Sequence, residues 1–218
     1  MAHIPGCIAS ITAKAKLKPW LVIGKGPSFS ELPSLNLSKY YSIALNHAVI
    51  KVPSVDYVHV ADLDVFEKIE DCLMTNTTSL VSPYFLHNKN SPDAAFSVDK
   101  LAEIANKPHH NLFKHLVKSK RITTYASSLS KSLGRKPELG RAIHVRYFSS
   151  VAVVNLLCAC GVKDITLIGI DGGSTYASQF SDLTPLTNGR KSFDVQFREI
   201  AISTRRHKLD LKRITCDD

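Results

Sequence analysis

Short apolar runs alternate along the chain with longer stretches in which apolar residues recur at helical spacing. Trp20–Gly24 (WLVIG) breaks into Gly24-Lys25-Gly26-Pro27-Ser28 and predicts a buried strand stopped by a turn. Ser28, with Glu31 three positions on, has the spacing of a capping box that opens a short helix through Leu32. Tyr41–Leu45 (YSIAL) predicts a second strand, ending at Asn46-His47. Tyr57–Ala61 (YVHVA) predicts a third, ending at Asp62-Leu63-Asp64 with a helix over Val65–Leu73 behind it. Leu80–Ser82 predicts a shorter fourth. Further on, the pattern predicts a helix over Ser150–Cys160 stopped by Gly161 and a strand over Asp164–Gly169. A helix over Phe193–Thr204 follows, with a last strand at Ile214–Cys216.

Between Tyr84 and Leu139 the alternation weakens. Loops at Asn88–Asp93 and Gly134–Glu138 flank helices predicted over Asp99–Asn106, ended by Lys107-Pro108, and over Leu112–Lys118. So long an irregular stretch predicts an inserted lid or small helical subdomain at about 84–139. Residues 1–19 then read as an N-terminal extension and 20–218 as one nucleotide-binding catalytic domain. Strands alternating with helices predict an α/β protein with a single Rossmann-like, mostly parallel sheet flanked by helices. Ligands of such sheets bind beyond the carboxyl ends of the strands. Gly24–Ser28, Asn46, Asp62–Asp64 and Gly169–Ser174 all fall at those ends, so one cleft is expected to collect them.

Composition narrows the partners. The 218 residues, 44% apolar, suffice for one well-formed core. No apolar run approaches the ~20 residues of a membrane-spanning helix. Lys14, Lys16 and Lys18 follow the mildly apolar N-terminal stretch instead of preceding it, so no signal peptide is expected. Five cysteines without a CxxC pair fit a reducing compartment, and together these features predict a cytoplasmic protein. The net charge of +9 calls for an anionic partner: a phosphate-bearing substrate, or an anionic membrane surface with which the protein associates peripherally. Nucleic acid is disfavoured, since no zinc finger, aromatic RNA-binding signature or basic region with heptads is present.

The candidate chemistry sits in five places. Gly24, Lys25, Gly26, Pro27 and Ser28 form a turn whose backbone a ligand can approach, with amides available to an anion; a tight turn needing glycine for its own geometry reads equally well. The turn is neither GxxxxGK[ST] nor GxGxxG. Asn46 offers donor and acceptor together, suiting a base edge or a ribose. Asp62 and Asp64 have the form of an acidic metal-diphosphate motif, but one of them equally caps the next helix, and no metal is assigned. Gly169, Asp171, Gly172, Gly173 and Tyr176 follow a buried strand, and a tyrosine hydroxyl there suits a departing phosphate. Ser149 or Ser150 is placed to cap the apolar helix, whose start also suits a phosphate. Arg190, Lys191 and Arg198 are anion contacts or a solvated face. His109, His110 and His115 lack metal-ligand company and read as surface residues.

The Gly-Lys-Gly-Pro-Ser turn, the strand ending in Asn46, and Ser149-Ser150 leading into Gly161-Val-Lys-Asp-Ile-Thr-Leu-Ile-Gly-Ile-Asp171 resemble bacterial glycosyltransferase family 42. That family contains CMP-sialic-acid-dependent sialyltransferases with one nucleotide-binding domain and a lid. The pattern is also similar to a wider group that includes 6-hydroxymethylpterin diphosphokinase-like proteins. The resemblance covers both ends of the core and leaves out Tyr84–Leu139.

It implies that Gly24, Gly26 and Ser28 cradle the nucleotide phosphate and ribose, that Asn46 contacts the nucleotide, and that Ser149 and Ser150 lie near the cytosine or the sugar carboxylate. Tyr176 would assist the leaving phosphate, and no metal cofactor would be needed. The family's general base is a His in a Gly-His segment, where this chain reads Asn188-Gly189-Arg190. Arg stays protonated, so Arg190 cannot be the base, and Asp194, Asp171 or His207 would take that role. Alternatively the sugar differs: Kdo is another CMP-activated acid. The implied partners are a CMP-sugar donor and a glycan or glycolipid acceptor of a lipopolysaccharide or capsule. The rival readings are a Mg²⁺-ATP-dependent pterin-type diphosphokinase, with Asp62 and Asp64 as ligands, and a non-catalytic nucleotide- or glycan-binding module.

Overall fold

Trp20–Ile23 is apolar on both faces because it is buried on both, as β1 at the centre of a parallel sheet. The computed structural model describes residues 9–87, 96–128, 142–146 and 148–216. Within them seven strands form one sheet: β1, β2 (Tyr41–Leu45), β3 (Tyr57–His59), β4 (Ser79–Pro83), β7 (Ile122–Tyr125), β8 (Asp164–Ile168) and β9 (Asp210–Arg213). Their order is β7-β4-β3-β2-β1-β8-β9, and every neighbouring pair is parallel. A small antiparallel ribbon, β5 (Phe85–Leu86) with β6 (Phe96–Ser97), stands apart. The α/β fold expected from the alternation is the one found.

The chain builds outward from β1 through β2, β3, β4 and β7, then crosses back to lay β8 on the other side of β1. The reversal falls between β1 and β8, the switch point at which such sheets open a crevice. Two apolar layers hold the sheet. One packs Leu21 and Ile23 against α2 (Phe66–Thr75), α3 (Val98–Glu103) and α4 (His110–Lys118). The other packs Trp20 and Val22 against α1 (Ala9–Lys14), α5 (Ser149–Ala159) and α6 (Val195–His207). Helix α5 is apolar around most of its circumference, as befits a helix walled in on several sides.

Three expectations are corrected. Where it is described, the stretch at about 84–139 is not set apart from the core: α3, α4 and β7 lie in it, β7 pairs with β4, and Leu101, Leu112, Phe113 and Leu116 are fully buried. The loops at Asn88–Asp93 and Gly134–Glu138 lie outside the described residues. The N-terminal extension is anchored through α1, whose Ile11 is fully buried. The last strand is Asp210–Arg213 in place of Ile214–Cys216, an exposed edge whose charged residues discourage further pairing. Among the described residues no helix is long and apolar enough to cross a membrane.

Because Phe113 packs edge-to-face on Phe66, at 5.1 Å between ring centres, inside this core, Phe113→Ala should cost about 3–5 kcal/mol in urea unfolding. A change below about 1 kcal/mol would put α4 outside the core.

Candidate functional site

Strands β1 and β8 run side by side, with Ile23 opposite Ile168, and both end in glycine. Beyond those ends the two loops cross at contact distance. Gly24 N–H donates to the Ile168 carbonyl at 2.8 Å and Gly26 N–H to the Gly169 carbonyl at 2.7 Å. A Cβ on Gly24 would lie 2.2 Å from the Gly169 oxygen, so the crossing admits no side chain. Ser28 is fully buried: its Oγ accepts the Gly169 N–H at 2.8 Å, and its own N–H donates to Asp171 Oδ2 at 2.8 Å.

These bonds change the expected roles. The amides of Gly24, Gly26 and Ser28 are engaged within the protein and do not point outward at an anion. Ser28 makes no capping box; the 3-10 turn Pro27–Ser34 begins after Gly26 without a side-chain cap. Ser28 and Asp171 instead clasp the two loops that frame the crevice.

A cavity of about 610 Å³ opens beyond the strand ends. Gly24, Lys25 and Gly26 border it from β1, Gly169, Asp171 and Gly172 from β8. Asn46 reaches it from the end of β2, and Ser149 and Ser150 from the start of α5. Asn46 has φ +54, a left-handed backbone that Asn tolerates better than most residues. Its Nδ2 donates weakly to Ser149 Oγ at 3.4 Å, and its buried Oδ1 has no partner among the described residues. Ser150 Oγ donates to Gln196 Oε1 at 2.5 Å. Neither serine caps α5, whose N-cap is Phe148.

The segment 172–193 walls the far side and carries Tyr176. Lys25 Nζ lies 4.3 Å from the centre of the Tyr176 ring, and Phe193 stacks on the same ring at 5.7 Å. The Tyr176 hydroxyl accepts the Leu186 N–H at 3.3 Å. A cation, a hydroxyl and a serine pair thus meet around one crevice.

Pro27, Ser28, Gly173, Arg190 and Asp194 do not border the cavity. Asp194 is exposed, and the Ser192 hydroxyl, then the Gly173 amide, bond to its carboxylate and hold its pKa below the ordinary value. His207 sits at the end of α6, away from the cavity. Of the three candidate bases only Asp171 borders the crevice, where its Oδ2 holds the Ser28 amide.

Three histidines were not assigned to the site from sequence: His47, His59 and His87 all border the cavity. Asp62 and Asp64 border it too, although among the described residues no three His, Cys, Asp or Glu side chains are grouped to hold a metal ion. His109 is no surface residue, since its Nδ1 meets Glu70 Oε2 at 2.5 Å with the imidazole mostly buried.

Burial holds His59 neutral, its pKa pushed down to about 3. The unfolded chain binds a proton in the ordinary imidazole range that the folded one refuses, so stability falls as pH drops. The loss should reach about 1.4 kcal/mol per pH unit below the imidazole's ordinary value. Urea unfolding of wild type and His59→Phe at pH 7 and pH 5 checks this: the variant should lose less, and equal losses would contradict it.

No protein-family model and no curated protein sequence matches the chain. Its fold is similar to that of the sialyltransferase CST-II, solved in complex with a trisaccharide acceptor and CMP: TM-score 0.52, 19% identity, covering 90% of this chain and 81% of that one. It is similar as well to the sialyltransferase CstII from Campylobacter jejuni in complex with the substrate analogue CMP-3FNeuAc, with TM-score 0.51, 18% identity and the same coverage of 90% and 81%. At that identity the likeness establishes a shared fold.

Proposed function

We propose that the chain transfers an acidic sugar, of the sialic acid or Kdo type, from a CMP-activated donor to a glycan hydroxyl. The observation that carries the reading is the meeting of Lys25, Asn46, Ser149 and Tyr176 around one crevice at the switch point of the sheet. The fold shared with sialyltransferases solved with CMP or a CMP-sugar analogue supports it.

In this reaction the bond from the anomeric carbon to the phosphate oxygen breaks as the acceptor oxygen bonds to that carbon. Negative charge grows on the departing CMP, and Lys25 and the Tyr176 hydroxyl stabilise it. A hydroxyl that accepts one hydrogen bond, as Tyr176 does from Leu186, becomes a better donor in the other direction. The acceptor's proton passes to a group bordering the cavity, His47, His87 or Asp62, and not to Arg190. Asn46 Oδ1 takes a hydrogen bond from the ribose, and the net charge of +9 draws in the anionic donor and an anionic glycan or glycolipid.

Titration calorimetry tests the reading. CMP should bind in the presence of EDTA, with an affinity that added Mg²⁺ does not change. Binding of ATP with Mg²⁺ but not of CMP would contradict it and favour phosphoryl transfer, with Asp62 and Asp64 as the metal's ligands.

A further inference from the structure

We infer that His59 reads the nucleobase, its Nδ1 accepting a hydrogen bond from an exocyclic amino group held in an apolar slot between the ends of β2 and β3 and the start of α5. The inference rests on the CMP reading and adds to it the residue that distinguishes one base from another.

The slot is set by register. Leu45 and His59 are paired neighbours on β2 and β3, so their side chains stand together on one face of the sheet. That face is the one α5 covers, and Val145, Phe148 and Ala152 border the cavity from the segment entering α5. Flat apolar walls with few polar groups suit an aromatic base, whose faces are apolar and whose edge is polar. Strand β3 lies two places from β1, roughly 10 Å across the sheet, which is far enough from a phosphate at the switch point for a nucleoside to span.

His59, like Asn46, borders the cavity with a buried polar atom unmatched among the described residues. Its ring is fully buried, its Nε2 lies 2.8 Å from the Tyr125 hydroxyl, and the two rings stack at 5.9 Å with 22° between planes. That contact fixes the imidazole. Nδ1, on the other side of the ring, has no partner among the described residues, although buried ring nitrogens in folded proteins are ordinarily matched. The Tyr125 hydroxyl accounts for Nε2, but no described residue accounts for Nδ1, which points to a ligand that completes it.

Burial, and then the nearby Asp62 carboxylate, keep the Tyr125 hydroxyl protonated. In the tautomer that leaves Nδ1 free to accept, Nε2–H donates to the phenol oxygen 2.8 Å away. Nδ1 is left as a lone-pair acceptor, which matches the amino group of cytosine and mismatches the carbonyl of uracil.

The experiment compares CMP with UMP on the full chain by titration calorimetry. Wild type should bind CMP about tenfold more tightly than UMP, one well-formed hydrogen bond's worth of discrimination. His59→Phe should bring the two to within about twofold of each other, by weakening CMP and leaving UMP nearly unchanged. The ¹⁵N resonance of His59 Nδ1 in wild type, which needs no variant to fold, should move on saturation with CMP. An unchanged CMP-to-UMP ratio in folded His59→Phe, or an Nδ1 resonance indifferent to CMP, would overturn the inference. Wild type binding neither nucleotide would overturn the CMP reading itself, and this inference with it.

Discussion

Gly24→Ala should lower stability by about 4 kcal/mol or more, enough to leave little folded protein at ordinary temperature. A methyl group there would lie 2.2 Å from the Gly169 carbonyl oxygen and 2.9 Å from Ile170 Cγ1. Backbone on that side cannot rotate away as a flexible side chain can. The loops would have to separate, breaking the bonds from Gly24 N–H to Ile168 and from Gly26 N–H to Gly169. Gly161→Ala is the control: at φ +85 with nothing within 4 Å of an added Cβ, it should cost about 1 kcal/mol from backbone strain alone. Urea unfolding followed by circular dichroism compares the two. Equal costs would mean that the loops do not cross as closely as described.

Tyr176→Phe carries the largest expected effect on turnover. Phenylalanine keeps the stack on Phe193 and the contact with Lys25, so thermal stability should change little. It removes the hydroxyl proposed to donate to the departing phosphate. Loss of one such donor lowers kcat about 100-fold or more. Because the interaction strengthens as charge develops, affinity for the intact CMP-sugar donor should shift far less than kcat does. Measured with a CMP-sugar donor, parallel losses in kcat and in ground-state affinity would make Tyr176 a binding residue only.

What local pattern could and could not disclose is visible in particular residues. Strands β1, β2, β3 and β8 were legible because each is mostly apolar, as a strand buried on both faces tends to be. Strand β7 (ITTY) was not, since so short a run with two polar residues carries little apolar pattern, and its pairing with β4 places it. Helix α4 was expected as a helix but assigned to a lid, because its place in the core depends on that same long-range pairing.

The site followed a similar division. Gly24, Asn46 and Gly169 could be placed from their positions at strand ends. Ser28 could be placed but not understood, since the amide it receives belongs to Gly169, 141 positions away. His59 gave no signal, because its burial and its missing partner depend on Tyr125, 66 positions away.

A crystal structure with CMP bound decides whether a nucleotide occupies the crevice between β1 and β8. The phosphate should lie beside Lys25 and Tyr176, the ribose against Asn46 and the base between Leu45 and Phe148. CMP bound elsewhere on the molecule, or a crevice left empty at saturating CMP, would contradict that placement.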